Sequence, residues 1–211
     1  NLMPILHYED AVNALHSEKI GCVLAVEGGE ILEGELANLN LLYELGVRLM
    51  TLTWNYTNDL SSGIGDENNE DMGLSEFGRT VVYHMNKLGM LIDLSHISYR
   101  GFWDVCELSN MPVIASHSNS KTVCNHKRNL DDRQLEAIAK KEGIVGINFY
   151  PPFLSNDGVA DITDIIRHIE YIAGLIGIDY IGFGSDFDGI GKVPQGIKGA
   201  QSYLNIIEEL L

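Results

Sequence analysis

The sequence predicts an α/β fold of alternating strands and helices, best fitted by an incomplete (β/α)8 TIM barrel. Three observations carry this. Short runs that are apolar on both parities recur along the chain, as strands buried on two faces do. Each run is trailed by a segment of helical period. Four of the runs stop at a metal-competent side chain, and a barrel gathers its strand C-termini at one rim. A doubly wound open sheet is the alternative. No Gly-x-Gly-x-x-Gly run follows the first strand, and Glu27-Gly28-Gly29 does not match one.

The strands are expected at 21–26, 48–53, 91–94, 113–116, 144–149 and 180–184. Between them, Leu36, Leu39, Leu42 and Tyr43 form a helical stripe that stops at Gly46. Val81, Val82, Met85 and Leu88 form another that stops at Gly89. Ser98 is placed to cap the helix carrying Phe102, Val105 and Cys106, and Asp131 or Asp132 the helix carrying Leu135, Ile138 and Ala139. The longest stripe, Ile162, Ile165, Ile166, Ile169, Ile172 and Ile176, ends at Gly177. Tyr203, Leu204, Ile207, Leu210 and Leu211 give a last one. The segment 55–72, rich in Asn, Asp, Gly and Ser, is expected as a long polar loop at the same rim.

About six of eight strands are thus accounted for, in a single domain spanning 1–211. A barrel typically takes about 250 residues, and this chain has 211. It opens Asn1-Leu2-Met3-Pro4, neither an initiator Met nor a signal peptide, so a piece of a longer protein is expected. The formal net charge of −16 argues against a nucleic-acid backbone or an anionic membrane as partner. No apolar run is long enough to span a bilayer. Cys22, Cys106 and Cys124 are odd in number and widely spaced. They fit buried thiols in a reducing, cytoplasmic setting better than zinc ligands.

The four strand ends carry the chemistry: Leu24-Ala25-Val26-Glu27, Leu91-Ile92-Asp93-Leu94-Ser95-His96, Val113-Ile114-Ala115-Ser116-His117 and Ile181-Gly182-Phe183-Gly184-Ser185-Asp186. Val23 and Ala25 share the parity of Glu27, Ile92 and Leu94 that of His96, and Gly182 and Gly184 that of Asp186. Inward positions are therefore apolar or small until the polar residue is reached. His96 and His117 offer imidazole nitrogens suited to zinc, and Glu27 a carboxylate that binds one ion or bridges two. Two His and one carboxylate leave a coordination position open, as catalytic sites do. Asp186 rather than Asp188 is expected at the site, since it lies nearer the strand. Arg128 is the best candidate for holding a substrate carboxylate, because its planar fork binds such groups bidentately, although a surface charge fits equally. The other histidines, His7, His16, His84, His126 and His168, lack partner spacing and are expected to be structural.

These residues resemble the renal (membrane) dipeptidase family of zinc dipeptidases, in its bacterial-type members. The matching stretches include Ala25-Val26-Glu27-Gly28-Gly29, Arg48-Leu49-Met50-Thr51-Leu52-Thr53, Gly73-Leu74-Ser75-Glu76-Phe77-Gly78-Arg79 and Leu91-Ile92-Asp93-Leu94-Ser95-His96. Ala115-Ser116-His117-Ser118, Arg128-Asn129, Asn148-Phe149-Tyr150 and Gly184-Ser185-Asp186-Phe187-Asp188-Gly189 follow in the family's order. The resemblance implies a barrel of the metal-dependent hydrolase type with two zinc ions. Glu27 would bridge the two, and His96 and His117 would complete one of them. A metal-bound hydroxide would attack the peptide bond of a dipeptide, Asp186 would relay the proton, and Arg128 would hold the terminal carboxylate. The expected partners are the dipeptide and, in assembly, a second copy in a homodimer. Two departures stand out. The family's first-strand His-x-Asp pair, which ligates the second zinc, is absent. Trp54 stands where the family often carries a His. A related amide or lactam hydrolase, or a non-catalytic barrel that has lost a metal, are the alternatives.

Overall fold

The structure is a computed structural model that describes residues 1–67 and 70–211. Asn68 and Asn69, inside the polar loop expected over 55–72, lie outside the described residues. The chain divides into two compact units, Asn1–Pro112 and Val113–Leu211.

The first unit is built on parallel strands. Strand β1 (Leu2–Pro4) pairs in parallel with β2 (Ile20–Cys22), and α1 (Tyr8–Leu15) lies between them in sequence. Asp10 closes the start of α1, its carboxylate accepting from the Leu6 and His7 amides. These two bonds, above all that from His7, hold its carboxyl below the usual range. A second ladder runs β3 (Leu24–Glu27), β4 (Val47–Thr51), β5 (Leu91–Asp93), all parallel, with Glu27 opposite Thr51 and Thr51 opposite Asp93. The helices are α2 (Leu36–Glu44), α3 (Glu76–Leu88) and α4 (Tyr99–Leu108). Ser75 and Ser98 cap α3 and α4, their hydroxyls accepting from Gly78 N–H at 2.9 Å and Gly101 N–H at 3.1 Å. Gly89 ends α3 in the left-handed conformation. Leu39, Met50, Val81, Val82, Met85, Ile92, Phe102 and Val105 are buried together in the core.

Two expectations need correction here. The single strand expected at 21–26 is two strands, β2 and β3, in different ladders, and β1 was not anticipated. Val23 and Ala25, expected to be inward and buried, are exposed, as is Leu24. The reason is position: β3 is the edge of its ladder, with a hydrogen-bonded neighbour in this unit on one side only.

The second unit, Val113–Leu211, follows the same grammar. Strand β6 (Val113–Ile114) continues to Ala115, which bridges in parallel to Val145. Strand β7 (Val145–Ile147) pairs in parallel with β8 (Ile181–Phe183). Helix α5 (Asp132–Lys140) starts at a capping box made by Asp131 and Gln134. The one-turn α6 (Pro151–Leu154) follows, then the long α7 (Ile162–Ile176), capped by Asp161 and ended at Gly177, and α8 (Tyr203–Leu210). Leu135, Ile138, Val145, Ile147, Phe149, Ile165 and Ile172 are fully buried. His168 is buried with them, Nδ1 accepting from Ser120 N–H at 3.1 Å and Nε2 facing the Leu154 carbonyl at 3.1 Å. Tyr203 stacks on Phe183 with ring centroids 4.8 Å apart, and its hydroxyl meets Ser185 Oγ at 2.6 Å. The whole is thus α/β with parallel sheets. Among the described residues no helix is long and apolar enough to cross a membrane.

Candidate metal and substrate site

In the first unit the ladder delivers Glu27 and His96 from strand ends. Glu27 closes β3, and His96 follows β5 after a sharp corner. Asp93 builds that corner: its buried carboxyl accepts from Thr51 Oγ1 at 2.6 Å and from Ser95 N–H at 3.0 Å. One oxygen thus ties the end of β5 to the end of β4, and the other turns the chain. His96 itself sits at φ 70°, a left-handed conformation that few non-glycine residues adopt. The result is a direct pairing, with His96 Nε2 at 3.2 Å from Glu27 Oε1. Nδ1 of the same ring lies 2.9 Å from Asn55 Oδ1. Trp54 flanks the imidazole, its ring centroid 6.4 Å away, and Tyr56 meets Trp54 edge-on at 6.0 Å. The imidazole and carboxylate are spaced for one ion. Two ligands about 2.1 Å from a tetrahedral zinc stand roughly 3.4 Å apart, close to the distance found. Nitrogen and carboxylate oxygen are the donor types that zinc takes, so the residues present fit the metal.

In the second unit His117 follows the bridge at Ala115, its Nδ1 2.8 Å from Ser116 Oγ. The turn after it is closed by Asn129, whose amide donates to the Cys124 and Phe153 carbonyls, both at 2.8 Å. That closure brings Arg128 back to the strand end. Its guanidinium donates to the His117 carbonyl at 3.4 Å and lies over the Phe153 ring at 5.6 Å. Arg128 is buried, so it is no surface charge. Asp186 follows β8 at φ 60°, the second site candidate held in a left-handed turn. Its Oδ2 accepts from Asn148 Nδ2 at 3.2 Å. Asn148 is fully buried, and its own Oδ1 accepts from Tyr150 N–H at 2.6 Å, so its amide is fixed. Two glycines let these strand ends approach: a Cβ at Gly146 or at Gly184 would run into the Ser116 carbonyl oxygen. Asp188 is exposed, whereas Asp186 is half-buried.

The structure therefore brings Glu27 together with His96, Arg128 with the backbone of His117, and Asp186 with Asn148. Asn55, Asp93 and Asn148 were not singled out as site residues from sequence. Asn148 ends an apolar run after Ile147 and could have been found by the same rule that picked out Glu27. Asp93 shares the strand that leads to His96. Asn55 offers no comparable signal, because its place depends on a loop. Of the histidines expected to be structural, His168 is a buried crosslink, and His126 lies beside Arg128, its Nδ1 accepting from the Arg128 amide at 3.2 Å. Burial, with the charges of Arg128 and Lys127, pushes the His126 pKa down.

The family model for membrane dipeptidases, peptidase family M19, matches residues 1–211. The chain belongs to this family. It is 38% identical over 208 residues to an uncharacterized dipeptidase of Schizosaccharomyces pombe, covering 96% of this chain and 50% of the relative. The membrane-dipeptidase match extends to solved structures. A metallo peptidase from Rhodobacter sphaeroides, liganded with a phosphinate mimic of the dipeptide L-Ala-D-Ala, superimposes with a TM-score of 0.92 at 31% identity. That match covers 99% of this chain and 62% of the other. The metallo peptidase dipeptidase AC, also of family M19, gives 0.93 at 31%, covering 99% and 64%. The chain thus spans about half the length of the curated relative and under two thirds of these two structures. The family and these relatives are dipeptidase hydrolases, and the family's metallopeptidase character implies a metal.

Proposed function

We propose that the whole protein carrying this chain is a zinc-dependent dipeptidase, and that residues 1–211 contribute one barrel-type metallopeptidase domain. The observation that carries this reading is the Glu27–His96 pair at 3.2 Å, at the ends of β3 and β5 on either side of β4 in one parallel ladder. The family match over residues 1–211 supports the single domain. Glu27 and His96 would hold the ion, with His117 as the third ligand that the family resemblance implies, and a second ion would share Glu27. When bound, zinc supplies a water activated at neutral pH and a Lewis acid for the scissile carbonyl.

The chain's own residues do the rest. Arg128 holds the dipeptide's terminal carboxylate with its guanidinium, which orients the peptide bond. Asp186 takes a proton from the attacking water and returns it to the leaving amine, with Asn148 fixing the carboxylate through Oδ2. Trp54 and Tyr56 give the site an exposed aromatic wall against which a substrate side chain packs. A dipeptide is the substrate class that fits a site with one carboxylate clamp and one proton relay. The thiols Cys22 and Cys124 fit a cytoplasmic setting.

Zinc content measured beside dipeptide turnover tests the division of roles. His117→Ala should lower both together. Asp186→Asn should keep zinc while turnover falls by about 10²-fold or more, the usual scale of general acid–base catalysis. Equal zinc loss in both variants would assign Asp186 to the metal. A protein that holds zinc but cleaves no dipeptide would end the dipeptidase reading.

A further inference from the structure

We infer that Asn55 is a positioning residue that sets which ring nitrogen His96 offers to a metal, an inference that rests on the metal reading above. An amide oxygen can only accept, so the ring nitrogen facing Asn55 Oδ1 at 2.9 Å carries the proton. In the neutral ring the other nitrogen, Nε2, then presents a lone pair, and it is Nε2 that faces Glu27 Oε1. Without this bond the Glu27 carboxylate would draw the ring proton to Nε2, the nitrogen that faces it, and the ring would be free to turn about its χ2 axis. Asn55 prevents both at once. Because Asn55 is neutral, it orients the ligand without adding charge beside a centre that already contains Glu27.

The loop around Asn55 is built to hold it there. The Asn55 carbonyl accepts from Gly65 N–H at 2.9 Å. Ile64 N–H donates to the carbonyl of His96 itself at 2.8 Å, and Gly63 forms an antiparallel bridge with Ile97. A Cβ at Gly63 or Gly65 would lie 2.7 Å from the Asn55 carbonyl oxygen, so only glycine permits the loop to double back this tightly. Both ends of the Asn55–His96 bond are therefore anchored by the same 11 residues of loop, from Asn55 to Gly65. The left-handed backbone of His96, at φ 70°, is strained, and the Ile64 and Asn55 bonds brace it from two sides. The part of the polar loop from Asn55 to Gly65 thus works as a splint for a metal ligand.

Competitive zinc titration against a chromophoric chelator, run on the whole protein, tests this. Asn55→Ala and Asn55→Leu should weaken zinc binding about 10–100-fold, the usual effect of removing a hydrogen-bond partner of a ligating His. Asn55→Asp keeps an acceptor oxygen at the same place and should restore binding to within a few-fold. Long-range ¹H–¹⁵N spectra of the zinc-free protein should report a proton on His96 Nδ1 in wild type and Asn55→Asp, and its loss in Asn55→Ala, where the ring proton sits on Nε2 facing Glu27. Wild-type affinity in Asn55→Ala, or equal weakening in all three variants, overturns the positioning role. A wild-type protein that binds no zinc overturns the metal reading instead. In that case the spectrum still decides, since a His96 Nδ1 without its proton in wild type refutes the role of Asn55.

Discussion

His168 makes the stability of this protein depend on pH in a way that can be worked from its two contacts. Nδ1 accepts from the Ser120 amide and Nε2 faces a carbonyl, so the buried ring is neutral with its proton on Nε2. Protonating Nδ1 would set two donors against each other in the core, and burial itself disfavours the charge. The pKa is accordingly pushed down from 6.5 to about 4, with burial the largest cause. The unfolded chain binds a proton below pH 6.5 that the folded chain refuses until about pH 4. Stability from this group is therefore complete above pH 6.5 and is lost as pH falls through that window. The shift of about 2.5 units corresponds to roughly 3 kcal/mol in all, of which about 2 kcal/mol is gone by pH 5. Other groups titrate in acid too, so the comparison is with His168→Gln, which retains hydrogen-bonding atoms but cannot take up the proton. Urea unfolding at pH 8, 6.5, 5 and 4.5 should give curves that converge as pH falls, with wild type losing about 2 kcal/mol more than the variant between pH 8 and pH 5. Two stability profiles that stay parallel across that range would refute the reasoning.

The remaining predictions concern the second unit. Arg128→Lys should raise KM for a free dipeptide about tenfold or more, because one charge-assisted bond worth roughly 1.5–3 kcal/mol is lost. A dipeptide amidated at its C-terminus should be nearly indifferent to the change, and equal effects on both substrates would make Arg128 structural. Gly146→Ala should cost about 1–3 kcal/mol of unfolding free energy, since its Cβ meets the Ser116 carbonyl oxygen. Gly182→Ala is the control: its Cβ would sit 3.5 Å from an Ile144 methyl, an ordinary contact, and should change stability by no more than about 0.5 kcal/mol. Similar costs at both glycines would mean that the close approach at Gly146 is not what limits the strand.

Helices were legible wherever an apolar stripe met a cap. The stripe ending at Gly177, the Ser98 cap and the Asp131 cap each follow from local chemistry, and α7, α4 and α5 start or stop there. Strands β1 and β2 were not legible, because three residues hold no period and Pro4 closes the first of them. The exposure of Val23 and Leu24 is equally illegible, since an apolar run looks the same at an edge as at the centre of a sheet. Within the candidate site, strand-end placement is local and could be read directly. What could not be read is support that comes from far along the chain. Asn55 reaches His96 across 41 positions, Asn148 reaches Asp186 across 38, and Thr51 reaches Asp93 across 42. A polar side chain in a loop carries no mark of which distant partner it will meet.

The stack of Tyr203 on Phe183, with its hydroxyl on Ser185, couples α8 to the residue just before Asp186. Helix α8 is eight residues long with one buried side chain, Ile206, and an element so lightly anchored opens at a small fraction of the free energy of global unfolding. Every opening of α8 then releases the ring, frees the Ser185 hydroxyl and lets the left-handed turn at Asp186 relax. Hydrogen exchange at the Ser185 and Asp186 amides should therefore share the opening free energy of α8 rather than that of the buried strands beside them. The proton relay proposed for Asp186 would keep time with α8.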